Sequence, residues 1–246
     1  MLKGKLAIIT GCKRGIGNSI VKVFAENKAN IIACARKKDK NFVKECSTLS
    51  KRYKVKIDPF FFDLGDELSV KDQVSKIINK YKKIDILVNN AGDIFSSIFQ
   101  MTSIEKFKKI FQVNFFSPIL IMQLVLKNMV LNKGGSIINL SSISVKESNE
   151  GRSAYSSSKS ALLNISKTIS REVGRYNIRV NCVAPGLIDT DMLNLNTKKN
   201  IIQDKISTSS LKRLGSPKDV ANVILFLASD LSKYVTGETI KIDGGM

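Results

Sequence analysis

Short apolar runs alternate with longer amphipathic stretches from one end of the chain to the other. The runs rich in Ile, Val, Leu and Phe predict strands at 6–10, 30–35, 56–62, 84–89, 136–141, 179–184 and 239–242. Apolar residues at helical spacing predict helices near 15–27, 38–53, 67–82, 103–131, 153–176 and 217–229. Strands that alternate with helices in this way predict an α/β fold, a doubly wound parallel sheet with helices on both faces.

The alternation of strands and helices is interrupted once. Residues 186–215 are polar and rich in Lys and Asn, between a predicted strand and a predicted helix. A connection of this length is either a functional lid or a tolerated surface insertion, and length alone favours neither. We predict a flexible substrate lid at about 187–215. No Pro- or Gly-rich linker divides the chain, so we expect a single domain over residues 1–246.

Composition restricts the chemistry more than it restricts the fold. The chain contains no histidine, which removes Ser-His-Asp and Cys-His nucleophile systems and every His-based metal site. Its four cysteines form no C-x-x-C pair, so we expect reduced thiols and no metal. No apolar run approaches the roughly 20 residues of a membrane span, and the first apolar run is too short for a signal peptide. We therefore expect a cytoplasmic protein without a membrane partner.

The formal net charge of +19 raises the question of nucleic-acid binding. The basic residues are spread along the whole chain, and aromatic residues do not interleave with them as in a stacking platform. The pattern favours a Lys-rich solvated surface over a nucleic-acid site. An acidic small molecule or an acidic carrier protein is compatible with the same charge.

A glycine-rich turn follows the first predicted strand. Residues 10–17 read Thr-Gly-Cys-Lys-Arg-Gly-Ile-Gly and then open a helix. Glycines permit a tight turn and close approach of the backbone to a pyrophosphate, and the helix start offers free N–H groups. Because glycines cluster in many strand-to-helix turns, the position of this motif in the first βα unit is what makes it informative.

The end of the second predicted strand indicates which nucleotide would bind. NAD-specific sites place an acidic residue there to hold the ribose 2′-hydroxyl, whereas this chain has Arg36. A guanidinium matches a 2′-phosphate in shape and charge, and Arg14 in the turn offers a second one. Asp39 is the nearest acid and lies further along. Arg36 is alternatively an ordinary surface residue, but the two basic positions together predict NADPH/NADP as the cofactor.

A Tyr–Lys pair supplies the candidate acid–base chemistry. Tyr155 and Lys159 share a face of a predicted helix at i and i+4. The pKa of a free tyrosine lies near 10, and a lysine ammonium on the same face would favour the phenolate. One such pair is expected by chance in a chain this basic, so its neighbours matter. Ser142 follows one predicted strand and the run Asn89-Asn90-Ala91-Gly92 ends another, where doubly wound folds place their sites; plain turn chemistry is the alternative for each.

Taken together, these motifs resemble the short-chain dehydrogenase/reductases over essentially the full chain. The match is carried by the glycine turn and by Asp63, Asn90, Gly92, Asn114, Ser142, Tyr155, Lys159, Pro185 and Gly186. The resemblance implies a Rossmann sheet and a single NADP-binding reductase domain. It implies the catalytic residues Asn114, Ser142, Tyr155 and Lys159, with Asn114 holding a water that relays protons through Lys159. The implied cofactor-binding residues are Gly11, Arg14, Gly15, Ile16, Gly17, Arg36, Asp63, Leu64, Asn90, Ala91, Gly92, Tyr155, Lys159, Pro185, Gly186, Ile188 and Thr190.

Within that family, residues 183–192 and the C-terminal stretch are most similar to the 3-oxoacyl-[acyl-carrier-protein] reductases of fatty acid synthesis. The resemblance implies NADPH-dependent reduction of a 3-oxoacyl group on a carrier protein, and a homo-oligomer (dimer or tetramer) built by the helices at 103–131 and 153–176 and the last strand. We expect Lys133, Arg152, Arg175 and Arg179 to form a basic rim for the acidic carrier. The alternatives are another ketone, such as a sugar, polyol or secondary-metabolite intermediate, and a catalytically silent nucleotide-binding protein.

Overall fold

A computed structural model describes residues 1–147 and 149–246. Seven parallel strands form one sheet in the order β3-β2-β1-β4-β5-β6-β7. The strands are β1 (Leu6–Thr10), β2 (Asn30–Ala35), β3 (Ile57–Phe61), β4 (Ile86–Asn89), β5 (Gly135–Leu140), β6 (Ile178–Pro185) and β7 (Thr239–Ile242). The predicted doubly wound parallel sheet is confirmed, and three of its strands have the predicted bounds.

Helices cover both faces of the sheet, as the alternating pattern predicts. They are α1 (Gly15–Glu26), α2 (Lys40–Tyr53), α3 (Glu67–Lys80), α4 (Ile104–Phe111), α5 (Ser117–Leu131), α6 (Ser144–Glu147), α7 (Ser153–Val173), α8 (Asp191–Asn196), α9 (Lys199–Thr208) and α10 (Pro217–Ala228). One core contains residues of α1, α2 and α10, and a second contains residues of α3, α5 and α7. The β1–β4 pairing, Ala7 opposite Ile86, marks the point where the strand order reverses. Open α/β sheets bind ligands at that point, beyond the carboxyl ends of the strands.

The predicted long helix at 103–131 is one continuous helix with an irregular turn. Between α4 and α5, residues Gln112–Phe116 form a π-helical turn, in which the Ser117 N–H bonds the Gln112 carbonyl. The whole helix, Ile104–Leu131, is long and apolar enough to cross a membrane by length and composition. Its Ile121 and Val125 side chains are instead completely buried in the core of this fold.

The segment 186–215 differs most from the sequence-based expectation. It contains the two helices α8 and α9, which the polar composition did not predict. Thr190 begins α8 by accepting a hydrogen bond from the Leu193 N–H. Leu193 and Ile202 are the buried anchors of the two helices. With one buried residue each, these helices leave too weak an apolar stripe to be read from the sequence.

All four cysteines are free and buried. Burial raises the pKa of Cys34, and it raises the pKa of Cys46 and of Cys182 to about 11 each. A thiol with such a pKa holds little thiolate near neutrality and is a poor nucleophile. These cysteines therefore act as small apolar residues of the core.

Candidate active site

A cleft of about 1260 Å³ lies beyond the carboxyl ends of the strands. All the sequence-predicted site residues line it except Asn114, which is completely buried directly behind it. The cleft runs from the glycine turn and the end of β2, past β4 and β5, to the lid segment. The topology thus brings together residues that are far apart in the sequence, and it does so at the point where the strand order reverses.

The glycine turn is held against the end of β4 by the Asn90 side chain. The Asn90 amide donates to the carbonyl oxygens of Thr10 at 2.7 Å and Gly11 at 3.3 Å. The Thr10 hydroxyl in return accepts from the N–H groups of Asn90 and Ala91, both at 3.0 Å. Gly11 has a φ of +73°, which L side chains rarely adopt, and a Cβ on Gly17 would collide with the Gly11 carbonyl. The backbone at the start of α1 is therefore uncovered, as a pyrophosphate requires.

Four cations line the end of the cleft next to this turn. They are Lys13, Arg14, Arg36 and Lys37. Lys37 was not among the predicted site residues, although its position directly after Arg36 was available as a clue. Asp39 lies away from the cleft lining: it accepts from the Lys13 ammonium at 2.8 Å and from the Phe42 N–H that begins α2. The lysine hydrogen bond holds the pKa of Asp39 below its usual range.

Arg14 has a partner in the lid. Its guanidinium lies 3.2 Å from the Asp191 carboxylate, the first residue of α8. Both side chains are about two-thirds exposed, so the pair contributes little to stability. Arg14 is therefore available for a phosphate at small cost. The glycine turn and the lid also meet where a Cβ on Gly15 would contact the Thr190 methyl at 3.4 Å.

The π-helical turn positions Asn114. Its amide oxygen accepts from the Asp93 N–H at 2.8 Å, and its amide nitrogen donates to the Asp93 carbonyl at 2.9 Å and to the Ser158 hydroxyl at 3.0 Å. A Cβ on Gly92 would lie 3.2 Å from both the Asn114 Oδ1 and the Lys159 Nζ. The absence of a side chain at Gly92 lets these two groups approach one another.

Lys159 is almost completely buried. Its ammonium donates to the Leu140 carbonyl at 2.7 Å, at the end of β5. Burial lowers the pKa of Lys159 to about 8, because the charged form loses hydration. A lysine with such a pKa exchanges its proton readily near neutral pH, which suits a group that passes protons on.

The pKa of Tyr155 lies above its ordinary value, chiefly because its hydroxyl is buried. A hydrogen bond with Ser142 and the nearby positive charge of Arg152 act in the opposite direction. The Lys159 ammonium is directed to the Leu140 carbonyl, and Arg152 is a further cation, not predicted from the sequence, whose charge favours the phenolate. A phenol is already protonated at neutral pH at its ordinary pKa near 10, and burial makes Tyr155 a weaker acid, an effect that Ser142 and Arg152 partly offset.

Ser142 is oriented by Ser144 in the next turn. The Ser142 hydroxyl oxygen accepts from the Ser144 hydroxyl at 2.9 Å and from the Ser144 N–H at 3.2 Å. With its lone pairs occupied in this way, the Ser142 hydroxyl proton is directed to an acceptor in the cleft. Ser144 was not among the predicted site residues, because a serine in a polar stretch is typical of any loop.

The lid is fastened to the loop after β5 at two points. Arg152 donates to the Asn196 carbonyl at 2.8 Å, and Lys205 of α9 pairs with Glu147 at 3.0 Å. All four residues line the cleft. Together with the Arg14–Asp191 pair, these contacts hold α8 and α9 over the open side of the cleft.

The predicted basic rim is wrong for three of its four members. Lys133 precedes β5 and Arg175 precedes β6, so both lie at the amino ends of the strands, the edge opposite the cleft. Arg179, the second residue of β6, donates hydrogen bonds to the carbonyls of Leu227 and Ser229 and so joins the strand to the end of α10. Only Arg152 belongs to the cleft. Flanking a predicted strand in sequence does not reveal which end of that strand carries the site.

Comparisons with known proteins agree with this geometry. A family model described as enoyl-(acyl carrier protein) reductase matches residues 11–246. The 3-oxoacyl-[acyl-carrier-protein] reductase FabG of Thermotoga maritima is 38% identical, covering 100% of this chain and 98% of its own length. A 3alpha-hydroxysteroid dehydrogenase of Mediterraneibacter gnavus is also 38% identical, covering 99% of this chain and 97% of its own.

A solved structure has the same fold over nearly the whole chain. It belongs to a protein of Beutenbergia cavernae described as an NAD(P)-dependent gluconate 5-dehydrogenase, crystallised with NADP bound at low occupancy. The TM-score is 0.93 at 25% identity, covering 99% of this chain and 97% of that one. The full-length matches and the cleft that unites a glycine turn with Ser142, Tyr155 and Lys159 lead to one conclusion. The chain belongs to the short-chain dehydrogenase/reductase family of oxidoreductases.

Proposed function

We propose that the protein reduces a ketone to a secondary alcohol with NADPH, and that the ketone is a 3-oxoacyl group on an acyl carrier protein. The observation that carries this proposal is the convergence of Ser142, Tyr155 and Lys159 with the glycine turn in one cleft. The full-length similarity to a 3-oxoacyl reductase supports the substrate class.

NADPH fits the adenosine end of the cleft on two grounds. Lys13, Arg14, Arg36 and Lys37 line it, and the nearest acid after β2, Asp39, is not part of the lining and pairs with Lys13. A 2′-phosphate would meet guanidinium groups there, whereas a bare 2′-hydroxyl would find no carboxylate from that strand end. Asp63, Leu64 and Ile16 line the same end and would enclose the adenine, and Pro185, Gly186 and Ile188 would contact the nicotinamide.

The chain's own residues supply the proton chemistry. NADPH, when bound, would supply the hydride for the carbonyl carbon. Ser142 donates a hydrogen bond to the carbonyl oxygen, and Tyr155 gives that oxygen its phenolic proton. Lys159 and Asn114, which converge at Gly92, return a proton to Tyr155 from water. Lys159 would also bond the nicotinamide ribose.

The carrier-protein part of the proposal rests on charge as well as similarity. With a net charge of +19, the protein attracts an acidic carrier over a distance, in a salt-dependent way. Lys198 and Lys205 of the lid line the cleft and are basic residues at its entrance, where Lys133, Arg175 and Arg179 were expected. The relatives named as carrier-protein reductases also favour a cytoplasmic homo-oligomer. We expect the lid of α8 and α9 to be the part of the site that opens, because only a few polar contacts hold it over the cleft.

Another ketone is the second candidate. The relative named as a steroid dehydrogenase and the fold neighbour described as a gluconate dehydrogenase show that similar chains are assigned other alcohols. The polar lid side of this cleft, with Glu147, Arg152 and Lys205, is compatible with a sugar acid.

The decisive experiment measures NADPH consumption with one 3-oxoacyl group presented on carrier protein and on a short thiol mimic. We expect reduction of both, with a carrier advantage that fades as salt rises. A panel of sugar acids, cyclic ketones and an enoyl thioester tests the alternatives. Activity on non-thioester ketones alone, or on the enoyl double bond alone, would refute the substrate proposal.

The cofactor proposal has its own test. Arg36→Asp should weaken NADPH by about 10²-fold or more while NADH changes little, because a charge-assisted hydrogen bond is lost and a repulsion is added. Lys38→Asp makes the same charge change two residues further on, outside the cleft lining, and should leave the preference intact. Equal dissociation constants of the unaltered protein for NADPH and NADH, measured by fluorescence, would count against the proposal.

A further inference from the structure

Arg152 carries a hydrogen-bond donor that the fold leaves unused. Five buried side-chain polar atoms lack a partner among residues 1–147 and 149–246: Asn89 Oδ1, Arg152 Nη1, Ser153 Oγ, Ser156 Oγ and Thr239 Oγ1. Of these five atoms, only Arg152 Nη1 belongs to a residue that lines the cleft. A buried donor without an acceptor destabilises a fold, and more so when the donor is charged. An acceptor brought by a ligand would remove that penalty.

The rest of the Arg152 side chain is held in place. Its Nη2 donates to the Asn196 carbonyl at 2.8 Å and lies 3.5 Å from the Thr197 hydroxyl, where α8 ends. Arg152 also precedes Tyr155 by three residues and acts on its ionisation through its charge. The guanidinium is therefore held between Tyr155 and the lid, and its Nη1 amino group has no hydrogen-bond acceptor.

We propose that Arg152 binds a second oxygen of the substrate, an acyl carbonyl or carboxylate oxygen close to the ketone, and so selects ketones that carry one. This inference rests on the proposed function, in which the thioester carbonyl of a 3-oxoacyl group lies two carbons from the ketone. A guanidinium can donate a charge-assisted hydrogen bond to either oxygen. A ketone without a second oxygen leaves Nη1 unpaired and gains nothing from this residue.

The test compares substrates that differ in the second oxygen. Arg152→Met removes the donors, and kcat/KM is measured for a 3-oxoacyl thioester on a short thiol, a keto sugar acid and a cyclic ketone with no second oxygen. We expect about 10- to 100-fold losses with whichever oxygen-bearing substrates the unaltered protein accepts. The cyclic ketone should lose activity only by the smaller factor, common to all three substrates, that follows from removing the Arg152 charge near Tyr155. Arg152→Lys, which keeps the charge but not the fork, should fall between.

Loosening of the lid is controlled separately, because Arg152 also bonds Asn196. Lys205→Met breaks the other fastening, the pair with Glu147, and should change the oxygen-bearing and cyclic substrates by the same factor. Equal losses for both substrate classes in Arg152→Met would mean that the residue acts only through the lid or through its charge near Tyr155, and would overturn the proposal. If the unaltered protein reduces only the keto acid, the 3-oxoacyl function fails while Arg152 is still tested by that arm.

A binding measurement makes the test independent of turnover. The thermal stabilisation of the NADP-loaded protein is measured with a 3-hydroxyacyl thioester, a sugar acid and a cyclic alcohol. Arg152→Met should reduce the stabilisation by the first two and leave the third unchanged. No difference between Arg152→Met and the unaltered protein with any of the three ligands would refute the role of Arg152.

Discussion

At the scale of single residues, the site separates two tasks that one Tyr–Lys pair was expected to share. Tyr155 is protonated at neutral pH, as any phenol is, and burial raises its pKa further, whereas Lys159 can exchange a proton because burial lowers its pKa to about 8. The shifts have opposite signs because burial disfavours whichever form carries the charge. Near neutral pH, Tyr155 therefore carries the proton to be donated, and Lys159 can exchange its own proton.

Replacing Tyr155 by Phe tests the donor. The ring remains and the proton is lost, so turnover should fall by about 10²–10⁴-fold. NADPH affinity should change little, because the cations and the glycine turn lie elsewhere in the cleft. Single-turnover rates and cofactor titration measure the two effects. Near-normal turnover in Tyr155→Phe on a good substrate would show that another group donates the proton.

The burial of Lys159 predicts that the free energy of unfolding depends on pH. Its folded pKa of about 8 lies below the ordinary 10.5, so below pH 8 the fold carries a buried cation that the unfolded chain keeps in water. The cost of about 3 kcal/mol is fully present there and disappears as pH rises from 8 to 10.5. Lys159→Met should therefore unfold at a higher temperature than the unaltered protein at pH 6, with the difference shrinking by pH 10.

The control for that prediction is Lys167→Met on the same helix, where the side chain is exposed. It should produce no pH-dependent difference, since an exposed lysine keeps its hydration in both states. Activity should be lost in Lys159→Met at every pH. A stability gain for Lys159→Met that is the same at pH 6 and pH 10 would mean that packing, and not charge burial, is its cause.

At the scale of elements, the glycine turn depends on close backbone contact more than on flexibility. A Cβ on Gly17 would collide with the Gly11 carbonyl and would lie 2.5 Å from the Asn90 amide nitrogen that braces the turn. Gly17→Ala should therefore lower the melting temperature and abolish NADPH binding. The partner variant is Gly174→Ala, where a Cβ meets nothing within 4 Å.

Gly174 has a helical φ of −56°, so alanine fits its backbone. Gly174→Ala should be neutral or stabilise the protein by about 0.4–1 kcal/mol, through a less flexible unfolded chain. Calorimetry and cofactor titration on both variants measure the contrast. Comparable effects of the two substitutions would mean that the turn is not closely packed.

The sequence was sufficient for the strands and for most of the site, for an identifiable physical reason. Buried parallel strands are continuous apolar runs, and β1, β2 and β7 have the predicted bounds because polar or small residues end each run. The helices α8 and α9 were missed because they bury one residue each. The role proposed for Arg152 was not predicted because it depends on the contact of Arg152 with Asn196 in the lid, a long-range contact with no local pattern.

At the scale of the whole molecule, an aromatic cluster on the long helix is partly exposed. Phe111, Phe115 and Phe116 pack against one another around the π-helical turn, and Phe116 is 51% exposed. Exposed aromatic groups on a helix are typical of a surface that another chain covers. This cluster lies on the helix that the family resemblance assigns to the oligomer interface.

The oligomer prediction follows from that cluster. The unaltered protein should have a mass of two or four times 27.2 kDa in light scattering. Phe116→Lys should lower the mass, because a charge cannot be buried in an apolar contact without a partner. Leu68→Lys introduces the same charge at a 78% exposed residue of α3 and should leave the mass unchanged. A monomer at micromolar concentration, before any substitution, would contradict the prediction.

The complete burial of the four cysteines makes the molecule easy to label. A maleimide reacts with thiolates that solvent can reach, and none of these thiols meets that condition in the folded state. A cysteine introduced at Arg175, on the edge opposite the cleft, would be the single reactive position of each chain. A fluorophore or a surface tether attached there would lie away from the lid. The proposed opening of the lid could then be followed in single molecules without first removing any native cysteine.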